Sequence, residues 1–148
     1  MSYPIIIEYK SKAYEDMVTL RSRILREPLG LTFSEDDLLQ DANDILLGLS
    51  TDLSEKIVAC CILSPQNDEI VKLRQMAVDN TSQKSGLGTS ILGFAEYVAE
   101  KNGFVTITLH ARKVAVGFYE KYGYEIIGEE FFEVNIPHFK MEKQINKK

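Results

Sequence analysis

The sequence predicts a mixed α/β fold with a mostly antiparallel sheet and one central parallel strand pair. Three apolar segments, at 44–49, 56–63 and 70–78, follow one another through short, turn-rich connections, which is typical of an antiparallel meander. A helical pattern then leads from the strand at 70–78 to an apolar strand at 104–109. A crossover of this kind joins two parallel neighbours and is right-handed by the usual rule.

The elements before this meander are a strand and two helices. Residues 4–9 are apolar and branched, and they predict a first strand. Apolar side chains recur with a helical period over 12–26, and a Pro-Leu-Gly sequence at 28–30 ends that helix. Ser34, which is followed three residues later by an aspartate, resembles an N-cap residue and predicts a short helix over 35–40.

The elements after the meander alternate between helix and strand. An amphipathic pattern extends over 86–102, and a second helix is predicted over 113–122. The last predicted elements are two strands, at 124–134 and 138–144, joined by an Asn-Ile-Pro turn. Together these segments predict a sheet of about six or seven strands with about four helices, all within one domain over 1–148.

Composition and charge exclude several classes of protein. The chain is 45% hydrophobic and 26% charged, which is ordinary for a soluble domain. A net charge of −5 argues against a nucleic-acid partner, because nucleic-acid-binding proteins carry basic surfaces that displace counterions. No apolar run reaches membrane-spanning length, and no signal peptide is recognised. Cys60 and Cys61 are adjacent on a strand and point to opposite faces, so we expect a reduced, cytoplasmic protein.

Two glycines, Gly86 and Gly88, lie where the strand at 70–78 leads into the next helix. Glycine leaves backbone N–H groups uncovered, and these groups and the positive end of the helix dipole together hold anions such as phosphate. The P-loop string is absent, and the dinucleotide fingerprint lacks its third glycine. The glycines therefore indicate either a phosphate site of another kind or simply a tight turn.

Two motifs follow the strand at 70–78 in a fixed order: Gln-x-x-Gly-x-Gly at 83–88 and Ala-x-x-Phe-Tyr-x-x-x-Gly-Tyr at 115–124. In this order and at this spacing they resemble the GNAT superfamily of acyl-CoA-dependent N-acetyltransferases. The matching core covers 70–128, and the order of elements fits nearly the whole chain. The resemblance implies a GNAT-like twisted sheet, acetyl-CoA as co-substrate, no metal and an amine acceptor. Relatives often form homodimers, so a homodimer is one expectation. The sequence itself does not specify the oligomeric state.

The resemblance places the cofactor on the glycine loop and on the end of the strand before it. The loop main chain is expected to hold the CoA pyrophosphate, and residues 76–78 are expected to bind the pantetheine arm as an added strand. The N–H of Met76 would hold the developing oxyanion. Arg112 or Lys113 would reach a CoA phosphate, the alternative being a solvated charge. The expected cofactor-binding residues are Met76, Ala77, Val78, Gln83, Lys84, Ser85, Gly86, Leu87, Gly88, Thr89 and Arg112. No metal ligands are expected.

Tyr119 matches the family's catalytic tyrosine and is the expected general acid. A phenol with a reference pKa of about 10 can protonate a thiolate whose reference pKa is about 8.5. The alternative is that Tyr119 is part of an aromatic core, which is the more natural interpretation of Phe118 and Tyr122.

The attacking amine must lose a proton, and the family has no fixed base for this step. The last strand pair is expected to turn near the same cleft, which makes Glu133 and His138 the candidate bases, with Glu130 as a third. Two acidic residues after the first long helix, Glu35 and Asp36, are further candidates. His110 occupies a position where many relatives have asparagine, so a cofactor contact from it is not expected.

The resulting hypothesis is an enzyme that moves an acetyl group from acetyl-CoA directly to a primary amine of a small molecule or a protein. The alternative is a CoA-binding regulatory module without turnover. Retention of Tyr119 favours the enzyme, because a sensor has no need of the acid. An unrelated nucleotide-binding protein is disfavoured by the failed phosphate motifs. The acceptor itself is not specified by the sequence.

Overall fold

The computed structural model describes residues 2–51, 56–80 and 86–146. Within these ranges it has eight strands and four α-helices. The strands are β1 (Tyr3–Ile7), β2 (Ile45–Ser50), β3 (Ile57–Pro65), β4 (Ile70–Val78), β5 (Thr106–Arg112), β6 (Glu125–Ile126), β7 (Phe131–Glu133) and β8 (Ile136–Gln144). The helices are α1 (Lys12–Arg21), α2 (Glu35–Leu39), α3 (Leu87–Lys101) and α4 (Val116–Lys121), with shorter π or 3-10 turns at Ser22–Arg26, Glu27–Leu29, Gln40–Asn43 and Lys113–Ala115.

All strands belong to one sheet, in the order β1-β2-β3-β4-β5-β8-β6, with β7 also paired to β8. Every pairing is antiparallel except β4 with β5, whose parallel register runs from Ile70 opposite Thr106 to Leu73 opposite Leu109. Helix α3 connects these two strands. The predicted meander, crossover and central parallel pair are therefore confirmed.

The sheet separates two hydrophobic layers. Cys61 lies in the larger layer together with Ile91 and Ala95 of α3, whereas Cys60 lies in the smaller layer with Met17 and Leu20 of α1. Neighbouring strand residues point to opposite faces, so the two cysteines take part in different layers, as predicted. Both are fully buried free thiols. In the described part of the chain, no helix is both long and apolar enough to cross a bilayer.

The predicted strand at 124–134 and the turn after it are wrong in detail. The segment divides into β6 and β7, because Gly128 has a left-handed backbone (φ +85°) that breaks the strand. The chain then reverses at Val134 and Asn135, whose φ angles of 46° and 62° are typical of a two-residue hairpin turn. Strand β8 thus begins at Ile136, before the predicted start. Pro137 lies just outside the register shared with β5 and removes no hydrogen bond to that strand.

A buried ion network joins α1, the segment after α2, and β4. The carboxylate of Asp41 is fully buried and accepts hydrogen bonds from the Tyr14 hydroxyl at 2.7 Å and from Arg21 at 2.9 Å. Arg74 of β4 reaches Asp41 at 3.0 Å and Asp44 at 2.8 Å. Burial and the hydrogen bond to Asp41 raise the pKa of Tyr14 well above its ordinary value. The network therefore holds the smaller layer against the strand that borders the cleft.

Replacement of Asp41 by asparagine is expected to lower the free energy of unfolding by about 3 kcal/mol, because it leaves the buried Arg21 charge uncompensated. The measurement is urea unfolding followed by circular dichroism. The exposed Asp68→Asn is the control, since a surface substitution changes stability by less than about 0.5 kcal/mol. Equal midpoints for the two variants would contradict this role for Asp41.

Candidate active site

Strand β4 contains a bulge next to its parallel partner. Cys60 of β3 lies opposite Ala77, but Ile62 lies opposite Arg74, so two steps along β3 match three along β4. Gln75 lies within this extra step and has a left-handed backbone (φ +54°), which is uncommon for a residue other than glycine. A bulge bends the strand that carries it, and here it bends β4 where its pairing with β5 ends.

The parallel strands β4 and β5 separate beyond Leu73 and Leu109. Past these residues, β5 continues along β8 as far as Arg112, while β4 continues along β3 as far as Val78. The facing edges of the two strands are no longer paired with each other, which leaves a cleft between them.

Tyr119 of α4 lies at this opening. Its hydroxyl donates a hydrogen bond to the Met76 sulfur at 3.4 Å, and its ring makes edge-to-face contacts with Phe118 and Tyr124. Burial, with a smaller contribution from Cys61, raises the pKa of Tyr119 to about 12. The phenol is therefore protonated throughout the neutral range and can donate a proton or a hydrogen bond into the cleft.

The start of α3 lies beside the same group of side chains. Gly86 precedes the helix with a left-handed backbone (φ +92°), a conformation that favours glycine. A Cβ atom built on Gly88 would lie 3.5 Å from Phe118 Cζ and 3.9 Å from Met76 Cε. The first turn of α3 thus touches residues that surround the Tyr119 phenol.

Thr89, also in the first turn of α3, shares a 2.7 Å hydrogen bond with the Tyr122 hydroxyl, which ties the turn directly to α4. The start of α3 and Tyr119 therefore lie close together, although they are about thirty residues apart in sequence. Three of the expected loop residues lie outside the described part of the chain: Gln83, Lys84 and Ser85.

The other end of the cleft carries a carboxylate between two histidines. Glu133, the last residue of β7, accepts a 3.0 Å hydrogen bond from His110 Nδ1, and its second oxygen lies 3.8 Å from His138 Nε2. His138 is buried, and its Nδ1 lies 2.7 Å from the carbonyl oxygen of Ile136. Because a carbonyl only accepts, Nδ1 carries a hydrogen, and Nε2 is the ring nitrogen that faces Glu133.

The structure places two of the five candidate bases in the cleft. Glu133 and His138 line the cleft, whereas Glu130 pairs with Lys113 at 3.2 Å and does not line it. Glu35 and Asp36 are exposed at the start of α2, also away from the cleft lining.

The sequence alone did not indicate that His110 lines the cleft. It stands on β5 between buried Leu109 and Ala111, and strand alternation puts it on the opposite face from both. Arg112 shares its face and also lines the cleft. The alternation along β5 indicates which face of the sheet His110 is on. Its contact with Glu133, however, depends on the register of the β7–β8 hairpin, which the sequence did not specify.

These residues enclose a cleft of about 390 Å³. Its walls come from the turn after α1, the bulged part of β4, the end of β5, the start of α4 and the β7–β8 hairpin. Tyr119 and Met76 stand in the same cleft as Glu133 and the two histidines. A thioester and an amine meeting here would have a proton donor and a basic group within one enclosure. Among the described residues, no cluster of three metal-ligating side chains is present.

Comparison with known proteins identifies the family. The model of the acetyltransferase (GNAT) domain matches residues 36–145. The chain belongs to the GNAT family. Its curated relatives include the uncharacterized protein YyaT of Bacillus subtilis, which is 37% identical over 76 residues, or 51% of each chain. This GNAT chain spans about half the length of the curated relatives it matches.

Solved structures show the same fold over the whole chain. A putative N-acetyltransferase from Lactobacillus plantarum superposes with a TM-score of 0.86 at 21% identity, covering 98% of this chain and 99% of that one. A GNAT family acetyltransferase from Elizabethkingia anophelis with acetyl-CoA bound superposes with a TM-score of 0.71 at 17% identity, covering 97% of both. At these identities the comparison shows the GNAT fold.

Substitution by alanine is expected to have opposite effects on stability at Gly86, directly before α3, and at Gly93, within it. Gly86→Ala places a side chain at φ +92° and should lower the free energy of unfolding by roughly 1–2 kcal/mol. Gly93→Ala lies in the exposed, unobstructed middle of α3 and should raise it by roughly 0.5–1 kcal/mol. Chemical denaturation of both variants is the measurement. Stabilisation by Gly86→Ala would contradict the left-handed start of α3.

Proposed function

We propose that the protein transfers an acetyl group from acetyl-CoA directly to a primary amine of a small molecule or a protein. One observation carries this proposal: the Tyr119 phenol, the Met76 side chain and the start of α3 lie together at the opening between β4 and β5. Membership of the GNAT family supports it. The acetyl-CoA bound to the Elizabethkingia anophelis protein of the same fold supports this choice of co-substrate.

The cofactor is assigned to the bulged strand and the glycine loop. The pantetheine arm would extend the sheet along 76–78, and the Met76 N–H would polarise the thioester carbonyl. The pyrophosphate would lie on the N-terminal end of α3, where unpaired N–H groups and the helix dipole favour an anion. Gly86 and Gly88 add no side chain of their own at that end.

Net transfer moves one proton from the amine to the sulfur. The amine nitrogen attacks the thioester carbon, a tetrahedral oxyanion forms, and the C–S bond then breaks. Tyr119 donates its proton to the leaving sulfur. With a pKa of about 12, the phenol is a weaker acid than a free thiol, so this donation has to be coupled to return of the proton from the cationic nitrogen of the intermediate. Burial keeps the phenol protonated until that moment.

Glu133 is assigned as the group that accepts a proton from the incoming ammonium. It lies in the cleft between His110, which donates to it, and His138, whose Nε2 is 3.8 Å away, so it is placed to take the proton. The Nδ1 of His138 faces the Ile136 carbonyl, and Nε2 is the nitrogen that faces this carboxylate. The hairpin turn at Val134 and Asn135 holds Glu133 in place.

Two assays test the proposed function. A thermal-shift comparison of acetyl-CoA, CoA, ATP and NAD is expected to show stabilisation by the two CoA compounds alone. Thiol release from acetyl-CoA with a panel of primary amines is expected to show turnover. Stabilisation without thiol release would instead support the non-catalytic CoA-binding module, and stabilisation by ATP or NAD alone would overturn both.

Tyr119→Phe is expected to lower kcat by roughly 10²-fold, because it removes the proton donor to the leaving sulfur. The KM for acetyl-CoA should change by less than about twofold, since the phenyl ring keeps its contacts. Steady-state thiol release is the measurement. Because the pKa of Tyr119 is about 12, its deprotonation contributes no alkaline limb to the pH–rate profile below about pH 11.

Tyr97→Phe is the matched control. Tyr97 is exposed on α3, so this variant should have the same kcat and KM as the unaltered protein. An unchanged kcat for Tyr119→Phe over the whole pH range would remove Tyr119 from the mechanism.

Glu133→Gln is expected to lower kcat/KM for the amine by roughly 10²-fold, because the amide is not basic. The deficit should shrink as pH rises toward the pKa of the amine, since the free amine then needs no base. Glu130→Gln is the control, because Glu130 belongs to the same segment but pairs with Lys113 outside the cleft. Equal losses for both variants at every pH would refute this assignment.

A further inference from the structure

Two arginines line the cleft on different walls. Arg26 ends the helical turn after α1, and Arg112 ends β5. Among the described residues, neither guanidinium forms an ion pair with a carboxylate. A third arginine of the lining, Arg74, differs because Asp41 and Asp44 neutralise it. In a chain with a net charge of −5, two arginines that line one cleft without an ion pair among the described residues outnumber Glu133, the one carboxylate of that lining, and make a local positive site.

The two guanidinium groups are close enough to influence each other. The pKa of Arg26 is lowered chiefly by burial and further by the positive charges of Arg21 and Arg112, while Asp37 and Glu133 act in the opposite direction. This mutual repulsion is relieved when an anion binds between the two side chains. Two positive charges inside a concave site are typical of anion recognition.

Arg26 is also held in a fixed position. The Phe33 ring lies under its guanidinium at 4.6 Å and under that of Arg21 at 4.7 Å. One N–H of Arg26 donates to the Leu25 carbonyl at 3.3 Å, and no other hydrogen bond from its guanidinium is made within the described part of the chain. Stacking on an aromatic face limits the motion of a guanidinium and lowers the entropy lost on binding.

The site lies on the acceptor side of the reaction. Arg112 shares a face of β5 with His110, whereas Leu109 and Ala111 point to the other face, into the layer that includes α3. Its antiparallel partner in the register is His138, and it therefore stands beside the Glu133 cluster assigned to the amine. This placement favours the acceptor over the earlier assignment of Arg112 to a CoA phosphate.

We propose that the acceptor is a small amino acid whose carboxylate binds between Arg26 and Arg112 while its amine faces Glu133. This inference rests on the proposed function and adds the substrate class to it. A guanidinium fork matches a carboxylate geometrically, and two forks on different walls fix its orientation. A monoanion is favoured over a phosphate dianion, because Glu133 in the same cleft repels each added negative charge. The cleft volume of about 390 Å³ suits a small acceptor.

Matched acceptor pairs provide the test. Thiol release from acetyl-CoA is measured with the common L-amino acids, their carboxamides and the corresponding decarboxylated amines. At least one amino acid is expected to have a kcat/KM at least about tenfold above that of its carboxamide, the effect of one charge-assisted hydrogen-bond pair. Equal or better turnover of the carboxamides or amines would overturn the proposal and leave the acetyltransferase function intact.

Arg112→Gln and Arg26→Gln are each expected to raise the KM for the amino acid about tenfold or more and to abolish the preference over the carboxamide. The KM for acetyl-CoA should stay within about twofold of the original. Arg26→Lys keeps the positive charge and so distinguishes loss of that charge from misfolding. Its KM for the amino acid should rise less than that of Arg26→Gln. Lys140→Gln is the control, since Lys140 is an exposed cation on β8 outside the cleft lining.

Three other outcomes are decisive. A higher KM for acetyl-CoA in the arginine variants would assign the pair to the cofactor and overturn the proposal. Acetyl-CoA binding with no turnover of any amino acid, and no amino-acid stabilisation in a thermal melt, would also overturn it. Failure to bind acetyl-CoA at all would overturn the proposed function and this inference together, and the thermal-shift panel identifies that case.

Discussion

The bulge at Gln75 is the constraint on which the rest of the site depends. One extra residue in β4 ends its pairing with β5, and the separated edges become the walls of a cleft in what is otherwise a continuous sheet. A left-handed residue other than glycine is held there by β3, its one remaining strand partner, and by Arg74, which is anchored in the buried ion network directly before it. Without the bulge, ladder hydrogen bonds would continue where the cofactor is assigned.

The two ends of the cleft have different architecture and different chemistry. At the end assigned to the cofactor, Met76, Gly88 and Tyr119 come from β4, α3 and α4, and the surroundings are apolar enough to raise the pKa of the phenol. At the end assigned to the acceptor the groups are charged: Glu133 lies between two histidines, and Arg26 and Arg112 line the same cleft. This division matches a reaction in which an uncharged thioester meets an amine that arrives as a cation.

Much of the fold could be predicted because its signals are local. Strand 70–78 and the helix after it follow from apolar spacing, and the crossover then requires a parallel pair. The family resemblance assigned both the glycine loop and Tyr119 to the site, and the described start of α3 does lie beside the residues around Tyr119. The hairpin was not predicted correctly, because Val134 and Asn135 adopt a left-handed turn that their side chains only weakly encode. The positions of His110 and Arg26 were missed for a related reason: they depend on tertiary register and not on sequence spacing.

The two-residue reversal at Val134 and Asn135 has an evolutionary consequence. It carries Glu133 and the start of β8 into the acceptor end without contributing to the residues assigned to coenzyme A. Exchange of this hairpin would therefore alter one wall of the cleft and leave Met76, Tyr119 and the start of α3 unchanged. Such a change needs only a few codons in one stretch of the gene, whereas the walls that carry Arg26 and Arg112 are encoded in two other stretches.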